Sequence, residues 1–283
     1  MKRTKKVLFQ YGYQGRRSLG QHFLVDEGVL KRIALLANLT QEDEVLEIGA
    51  GPGNLTKYLV ERAGKVYALE ISEELVEILK KELSAPNLKV ICADVLGFNF
   101  KTIASKGKKL KVVANLPYNI STEVIFRLLE TRGIFSELYL MLQKEVAERV
   151  CTKPKTKDYG ILAVISQIHS EPEIIMRIGP SAFHPKPKVD SALVKFKILD
   201  DYRFPLINYS DFKKVLKAIF AKRRKTLRNA LSKSQLKLSR DEAEELLKAV
   251  NINPQARAEE LELEKICQLA NYYSEWKKNA RTA

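Results

Sequence analysis

The stretch "EVLEIGAGPGNLT", residues 44–56, decides the fold. A short apolar run ends at Gly49, and Gly51 and Gly53 follow before the next apolar-periodic segment. Glycines between a strand and a helix permit a tight turn and close approach of backbone to ligand. The spacing is G-x-G-x-G, and Asn54 stands where the dinucleotide fingerprint wants a third small residue. That counts against a nicotinamide cofactor. Alone the glycine turn is a weak signal, so the neighbouring segments must carry the reading.

Outward from this turn, strand-like and helix-like patterns alternate. "NLTKYLVERAG" has helical spacing and a terminal glycine. "KVYALEI" reads as the next strand, and "SEELVEILKKEL" as a helix opened by Ser72 with acids in its first turn. "LKVICAD", "LKVVAN" and "ELYLMLQ" read as strands, "TEVIFRLLETRG" and "KEVAERV" as helices. Such alternation implies βαβ units around a mostly parallel sheet covered on both faces. "YGILAVISQIH" and "SALVKFKIL" read as two late strands forming an antiparallel edge. Beyond Pro205 strand signals stop. "DFKKVLKAIFAKRRKTLRNALSK", "SRDEAEELLKAV" and "AEELELEKICQLANYYSEWKK" each read as a helix. The expected organisation is a basic arm at 1–17, an α/β domain at 18–204 and a small all-helical domain at 205–283, with the boundary near 200–208.

With 45% hydrophobic and 29% charged residues the chain suits an ordinary globular protein. No apolar run approaches the roughly 20 residues that cross a bilayer, so no membrane partner is expected. The basic start reads as an arm and not as a signal peptide. Three scattered cysteines, Cys92, Cys151 and Cys267, fit a reducing cytoplasm and no disulfide framework. His22, His169 and His184 pair with no cysteine at metal-ligand spacing, so no metal is expected.

The net charge of +15 is unevenly placed. Residues 1–17 carry six Lys/Arg and no acid, and residues 208–283 carry seventeen Lys/Arg against ten acids. The centre is nearly neutral. A neutral centre with basic ends suits an enzyme with added grips for a polyanion, nucleic acid above all.

Glu70 ends the strand after the glycine turn, where a carboxylate can take both hydroxyls of a ribose; a helix-capping acid is the plainer alternative. Asp94 ends the following strand, where an acceptor suits the amino group of an adenine. Gly49, Glu70, Asp94 and Asn115 all fall at the carboxyl ends of strands, where open α/β sheets bind ligands. A glycine turn, an acid for ribose, an acceptor for adenine and no phosphate-binding lysine motif suit S-adenosylmethionine. On these residues the chain resembles a class I methyltransferase, a Rossmann-like α/β fold.

"NLPYNIST", residues 115–122, follows the fourth of these strands. Asn and Pro make it a candidate turn. It also has the parts of a pocket for a flat, hydrogen-bonding ring. An exocyclic aromatic amine is a poor nucleophile, and two acceptors on its N–H groups favour attack. The Asn115 side-chain oxygen and the Leu116 carbonyl offer them. Pro117 stiffens the turn, and Tyr118 stacks on the base. Positioning and electrostatics then suffice.

The motif resembles the (N/D)-x-P-Y signature of the adenine-N6 methyltransferases. "SLGQHFLVD" (18–26), "LEIGAGPGNLT" (46–56), "MLQKEVAERV" (141–150), "FHPKPKVDSALV" (183–194) and "KRRKTLRNAL" (222–231) narrow it further. Together they resemble the ribosomal RNA adenine N6,N6-dimethyltransferases of the KsgA type, in order and over nearly the whole chain. The resemblance implies cofactor contacts at Gln21, His22, Leu24, Gly49, Gly51, Glu70, Asp94 and Asn115. The family often has Asn where His22 stands. It also implies Phe183 as a second aromatic wall for an unstacked target base; spacing alone favours core packing there. The implied reaction is dimethylation of two adjacent adenosines in a hairpin loop near the 3′ end of small-subunit rRNA, on the immature 30S particle, by a monomer. The rivals are a large-subunit rRNA methyltransferase of the macrolide-resistance type and a non-enzymatic assembly or transcription factor on the same fold.

For the RNA grip, a continuous helix over 211–233 places Lys213, Lys217, Arg224 and Arg228 within about 60° of each other. Lys222 and Arg223 adjoin them, with Arg223 in the apolar face formed by Phe212, Leu216, Ile219, Phe220, Leu227 and Ala230. Contacts of this kind hold the phosphate backbone and carry little sequence information.

Overall fold

The computed structural model describes residues 10–13, 22–222 and 224–282, with the side chains of 280–282 left aside. Its contacts divide the chain into two compact units, residues 1–148 with 170–200, and residues 149–169 with 201–283. The second unit therefore takes a segment from within the expected α/β domain as well as the expected helical tail.

The first unit is built on seven strands: β2 (Glu44–Ile48), β3 (Lys65–Glu70), β4 (Leu88–Cys92), β5 (Leu110–Asn115), β6 (Phe135–Gln143), β7 (Ser170–Ile178) and β9 (Ser191–Ile198). They lie in the order β4-β3-β2-β5-β6-β9-β7. The first five pair parallel, and β9 runs antiparallel to both β6 and β7. Helices cover both faces. Near-continuous burial of Val45, Leu46, Ile48, Val66, Leu69, Val112 and Val113 follows from that double cover. A separate two-stranded ribbon pairs β1 (Phe23–Leu24) with β8 (Phe183–His184), Leu24 opposite Phe183.

Local chemistry starts the helices where the sequence indicates. Asp26 caps α1 (Glu27–Leu36) by accepting from the Val29 N–H. Ser72 caps α3 (Glu73–Glu82), accepting from Leu75, with Glu73 and Glu74 at the positive end of the dipole. The short α2 (Thr56–Val60) leaves the glycine turn, and α4 (Ser121–Glu130) leaves "NLPYN".

Two expectations are corrected. "YGILAVISQIH" is not a strand: Ile161–His169 is a helix, buried from Leu162 to Ser166 and again at Ile168 and His169, and it belongs to the second unit. The antiparallel edge is instead completed by Ser170–Ile178. The basic helix is also not continuous. It is two helices, Tyr209–Phe220 and Leu227–Ser232, separated by turn residues.

In the second unit, Phe212, Leu216, Ile219, Leu246, Leu247 and Ile266 form buried positions, and Tyr159 meets Phe220 edge-on at 6.1 Å. Asp211 is buried and accepts from Lys277 at 2.9 Å and from Ser274 at 3.3 Å. Among the described residues no helix is long and apolar enough to cross a membrane.

Candidate active site

A cavity of about 190 Å³ opens at the carboxyl ends of the parallel strands. Gly49, Glu70, Asp94, Asn115, Leu116, Pro117 and Tyr118 line it together with His22, Phe23 and Ile71. The four strand ends singled out in the sequence thus meet at one site.

The glycine turn is shaped by need. Gly49 and Gly51 have φ of +73° and +56°, a region L side chains avoid. A Cβ on Gly51 would stand 3.2 Å from the Phe23 ring, and one on Gly49 would stand 3.4 Å from the Asn115 carbonyl. The turn is therefore packed on one side against β1 and on the other against the "NLPY" segment.

Glu70 is 5% exposed. Its Oε2 accepts from the Gly51 N–H at 2.9 Å and its Oε1 from the Ser72 N–H at 3.0 Å. Burial pushes its carboxyl up, and the backbone N–H groups of Ser72, Gly51 and Ile71 offset part of that rise. Each oxygen keeps acceptor capacity beyond these bonds. Asp94 is exposed, and its Oδ1 accepts from the Leu96 N–H at 2.9 Å. Asn115 donates from Nδ2 to the His22 carbonyl at 2.9 Å. That bond fixes the amide orientation and turns Oδ1 into the available acceptor. Leu116 is buried, Pro117 accepts from the Ile120 N–H at 3.3 Å, and the Tyr118 hydroxyl meets Ser191 Oγ at 2.8 Å. Burial holds the Tyr118 hydroxyl above its ordinary value, with the Ser191 bond lowering it in part, so it stays neutral.

Other expected site residues fall elsewhere. Leu24 and Phe183 are buried in one core cluster and do not line the cavity. The strand pairing of Phe183 with Leu24 steadies the segment that carries His22 and Phe23. Gln21 and Arg223 lie outside the described residues. Lys217, Lys222 and Arg224 are exposed, while Lys213 sits over the Tyr209 ring at 4.9 Å. Arg228 does not join a free basic stripe. Its Nη1 pairs with Glu244 at 2.8 Å, and the break between the two helices removes the single wheel on which the stripe rested.

Three residues escaped the sequence reading. Phe23 touches the glycine turn, and Asn54, noted only as a break in a motif, donates to the Leu24 carbonyl at 2.9 Å. Glu47 is 2% exposed beneath the turn, and burial pushes its carboxyl up to about 8, with Glu70 adding and Thr56 offsetting. The signal for Glu47 was an acid inside the apolar run "VLEI".

The strand order, the glycine turn and the acids at successive strand ends define a Rossmann-like methyltransferase that uses a cofactor of the S-adenosylmethionine type. The model of the ribosomal RNA adenine dimethylase family matches residues 12–275. The chain belongs to that family, and it is an enzyme. It is 42% identical over 274 residues to the ribosomal RNA small subunit methyltransferase A of Alkaliphilus oremlandii, covering 95% of this chain and 96% of that protein. It is 40% identical to the protein of the same name from Geobacter metallireducens, covering 92% and 95%. Among solved structures it is similar to a dimethyladenosine transferase from Plasmodium falciparum, with a TM-score of 0.78, 27% identity, and 92% and 98% of the two chains covered. It is also similar to the 23S rRNA methyltransferase ErmE, with a TM-score of 0.65, 26% identity, and 89% and 99% covered.

Proposed function

We propose that this chain dimethylates N6 of two adjacent adenosines in a hairpin loop near the 3′ end of small-subunit rRNA, acting on the immature 30S particle. The observation that carries the reading is the Asn115 amide, turned by the His22 carbonyl so that Oδ1 is an acceptor on the cavity wall. The small-subunit choice over the large-subunit rival is supported by the 42% and 40% identity to small-subunit relatives.

The cavity fits the cofactor. Gly49 lines it at the carboxyl end of its strand, and Glu70 presents a carboxylate already held by two backbone N–H groups. Gly49 and Gly51 would bring backbone to the cofactor, Glu70 would take its ribose hydroxyls and Asp94 its adenine amino group. When bound, S-adenosylmethionine supplies an electrophilic methyl group.

Asn115 Oδ1 and the Leu116 carbonyl accept from the target N6–H groups and raise the amine's electron density along the line of attack. Pro117 keeps these two acceptors in one geometry. Tyr118, neutral and tethered to Ser191, stacks on the unstacked base. No strong general base is required, because the alkylated amine is acidic and releases its proton to solvent. Exposed Lys217, Lys222 and Arg224 of the helical unit hold RNA phosphates. The chain works in the cytoplasm, a reading supported by three scattered cysteines that form no disulfide framework, and acts as a monomer.

The test uses labelled methyl from S-adenosylmethionine and small subunits purified from a strain lacking the modification. Label recovered in N6,N6-dimethyladenosine supports the reading. Label entering only protein-free large-subunit RNA supports the rival, and bound but unlabelled subunits point to a non-enzymatic factor.

A further inference from the structure

His22 is expected from resemblance to touch the cofactor. Its side chain has other engagements. Nδ1 lies 2.7 Å from the Pro185 carbonyl, an acceptor only, so Nδ1 carries the proton and donates. The imidazole stacks on the Tyr118 ring, centroids 5.3 Å apart and planes 30° apart. What His22 gives to Asn115 is its backbone carbonyl. One residue therefore ties three segments: the strand start at 22–24, the turn after β8 and the "NLPY" turn.

Tyr118 is held at two points. Ser191, fully buried at the start of β9, fixes the hydroxyl, and His22 fixes the ring plane. A platform for stacking works only if its plane is set before the base arrives, since a misplaced base loses alignment with the reacting methyl. Because the imidazole occupies one side of Tyr118, the base must use the other.

We propose that the His22 imidazole is a positioning residue for the target base, acting through the plane of Tyr118, while its backbone carbonyl orients Asn115. The proposal rests on the function given above and goes beyond it by separating the two roles of one residue. The side chain serves the RNA end of the cavity. Replacing it leaves the carbonyl, and with it the Asn115 orientation, in place.

The experiment compares wild type, His22→Ala, His22→Asn and His22→Phe. Each is assayed for labelled methyl transfer to small subunits lacking the modification, with kcat and both KM values. Cofactor binding is measured separately by calorimetry with S-adenosylmethionine. His22→Ala and His22→Asn should lower kcat about tenfold to a hundredfold, the range expected for a reactant displaced by a fraction of an ångström to an ångström. Their cofactor affinity should stay within about twofold, because the side chain's partners are protein groups. His22→Phe keeps the ring without the Pro185 bond, and should recover most of the lost kcat. If His22→Ala does not fold, the Phe and Asn variants decide. The proposal is overturned if kcat at saturating cofactor is unchanged in His22→Ala, if the loss lies in cofactor affinity, or if Phe is no better than Asn. Wild type failing to methylate the subunits would instead sink the proposed function.

Discussion

Glu47→Gln removes a group that holds a proton in the folded chain and loses it in the unfolded one. Glu47 lies on β2, two residues before Gly49, and is 2% exposed. Burial carries its carboxyl from an ordinary 4.5 to about 8, and the Glu70 carboxylate adds to the rise. Between those two values the native state binds one proton more than the unfolded state. Stability must then fall as pH rises through this window and level off above it. The full stability is present below 4.5. At about 1.4 kcal/mol per pH unit, the window corresponds to a ceiling of about 5 kcal/mol. Local relaxation and water entry around the ionised group bring the expected loss to about 2–4 kcal/mol. Glutamine has the same shape and does not titrate, so it escapes this loss. The variant should match wild type near pH 5 and exceed it by about 2–4 kcal/mol at pH 9. The readout is amide exchange of peptides covering β2, variant against wild type at each pH. Fluorescence would report the wrong unit, since the single tryptophan, Trp276, lies in the helical one. A stability difference independent of pH, or a variant weaker than wild type at pH 9, would refute the argument.

Gly51→Ala puts a Cβ 3.2 Å from the Phe23 ring at a φ of +56°, and should cost about 1–3 kcal/mol in urea unfolding while weakening cofactor binding in calorimetry. Arg228→Ala breaks a half-exposed ion pair with Glu244; it should lower stability by no more than about 1 kcal/mol and leave the salt dependence of subunit binding unchanged. Lys217→Ala should instead reduce the salt slope of filter-binding affinity by about one. Burial alone would raise the Asp211 carboxyl, but Lys277 and Lys214 outweigh it and hold the group below its ordinary value. Its stabilising effect is therefore present above 3.8 and lost as pH falls below it, which Trp276 fluorescence follows in acid unfolding of wild type against Asp211→Asn.

The parallel half of the sheet was legible because each strand was a short apolar run ending at a turn residue or an acid. "YGILAVISQIH" misled because an apolar segment of that length has the same composition as a buried strand, and its helical burial is visible only in the packing. Ser170–Ile178 was hidden by Pro172 and by alternating charges. The break in the basic helix falls on "AKRRKT", which contains neither glycine nor proline to mark it. Gly49, Glu70, Asp94 and Asn115 were readable as a site because a parallel sheet gathers successive strand ends at one edge. The links His22 to Pro185, Asn54 to Leu24 and Tyr118 to Ser191 join residues 163, 30 and 73 positions apart. Nothing local in the sequence records such pairs.

In the proposed reaction Asn115 Oδ1 and the Leu116 carbonyl accept from the target amine at the edge of the cofactor cavity. Single-turnover methyl transfer by wild type and Asn115→Ala, each saturated with S-adenosylmethionine and with unmodified small subunits, tests it most directly. The variant should bind both partners while the chemical step falls by about a hundredfold or more, as for loss of an oriented hydrogen bond at the reacting centre. A variant that transfers methyl at the wild-type rate under saturation would contradict it.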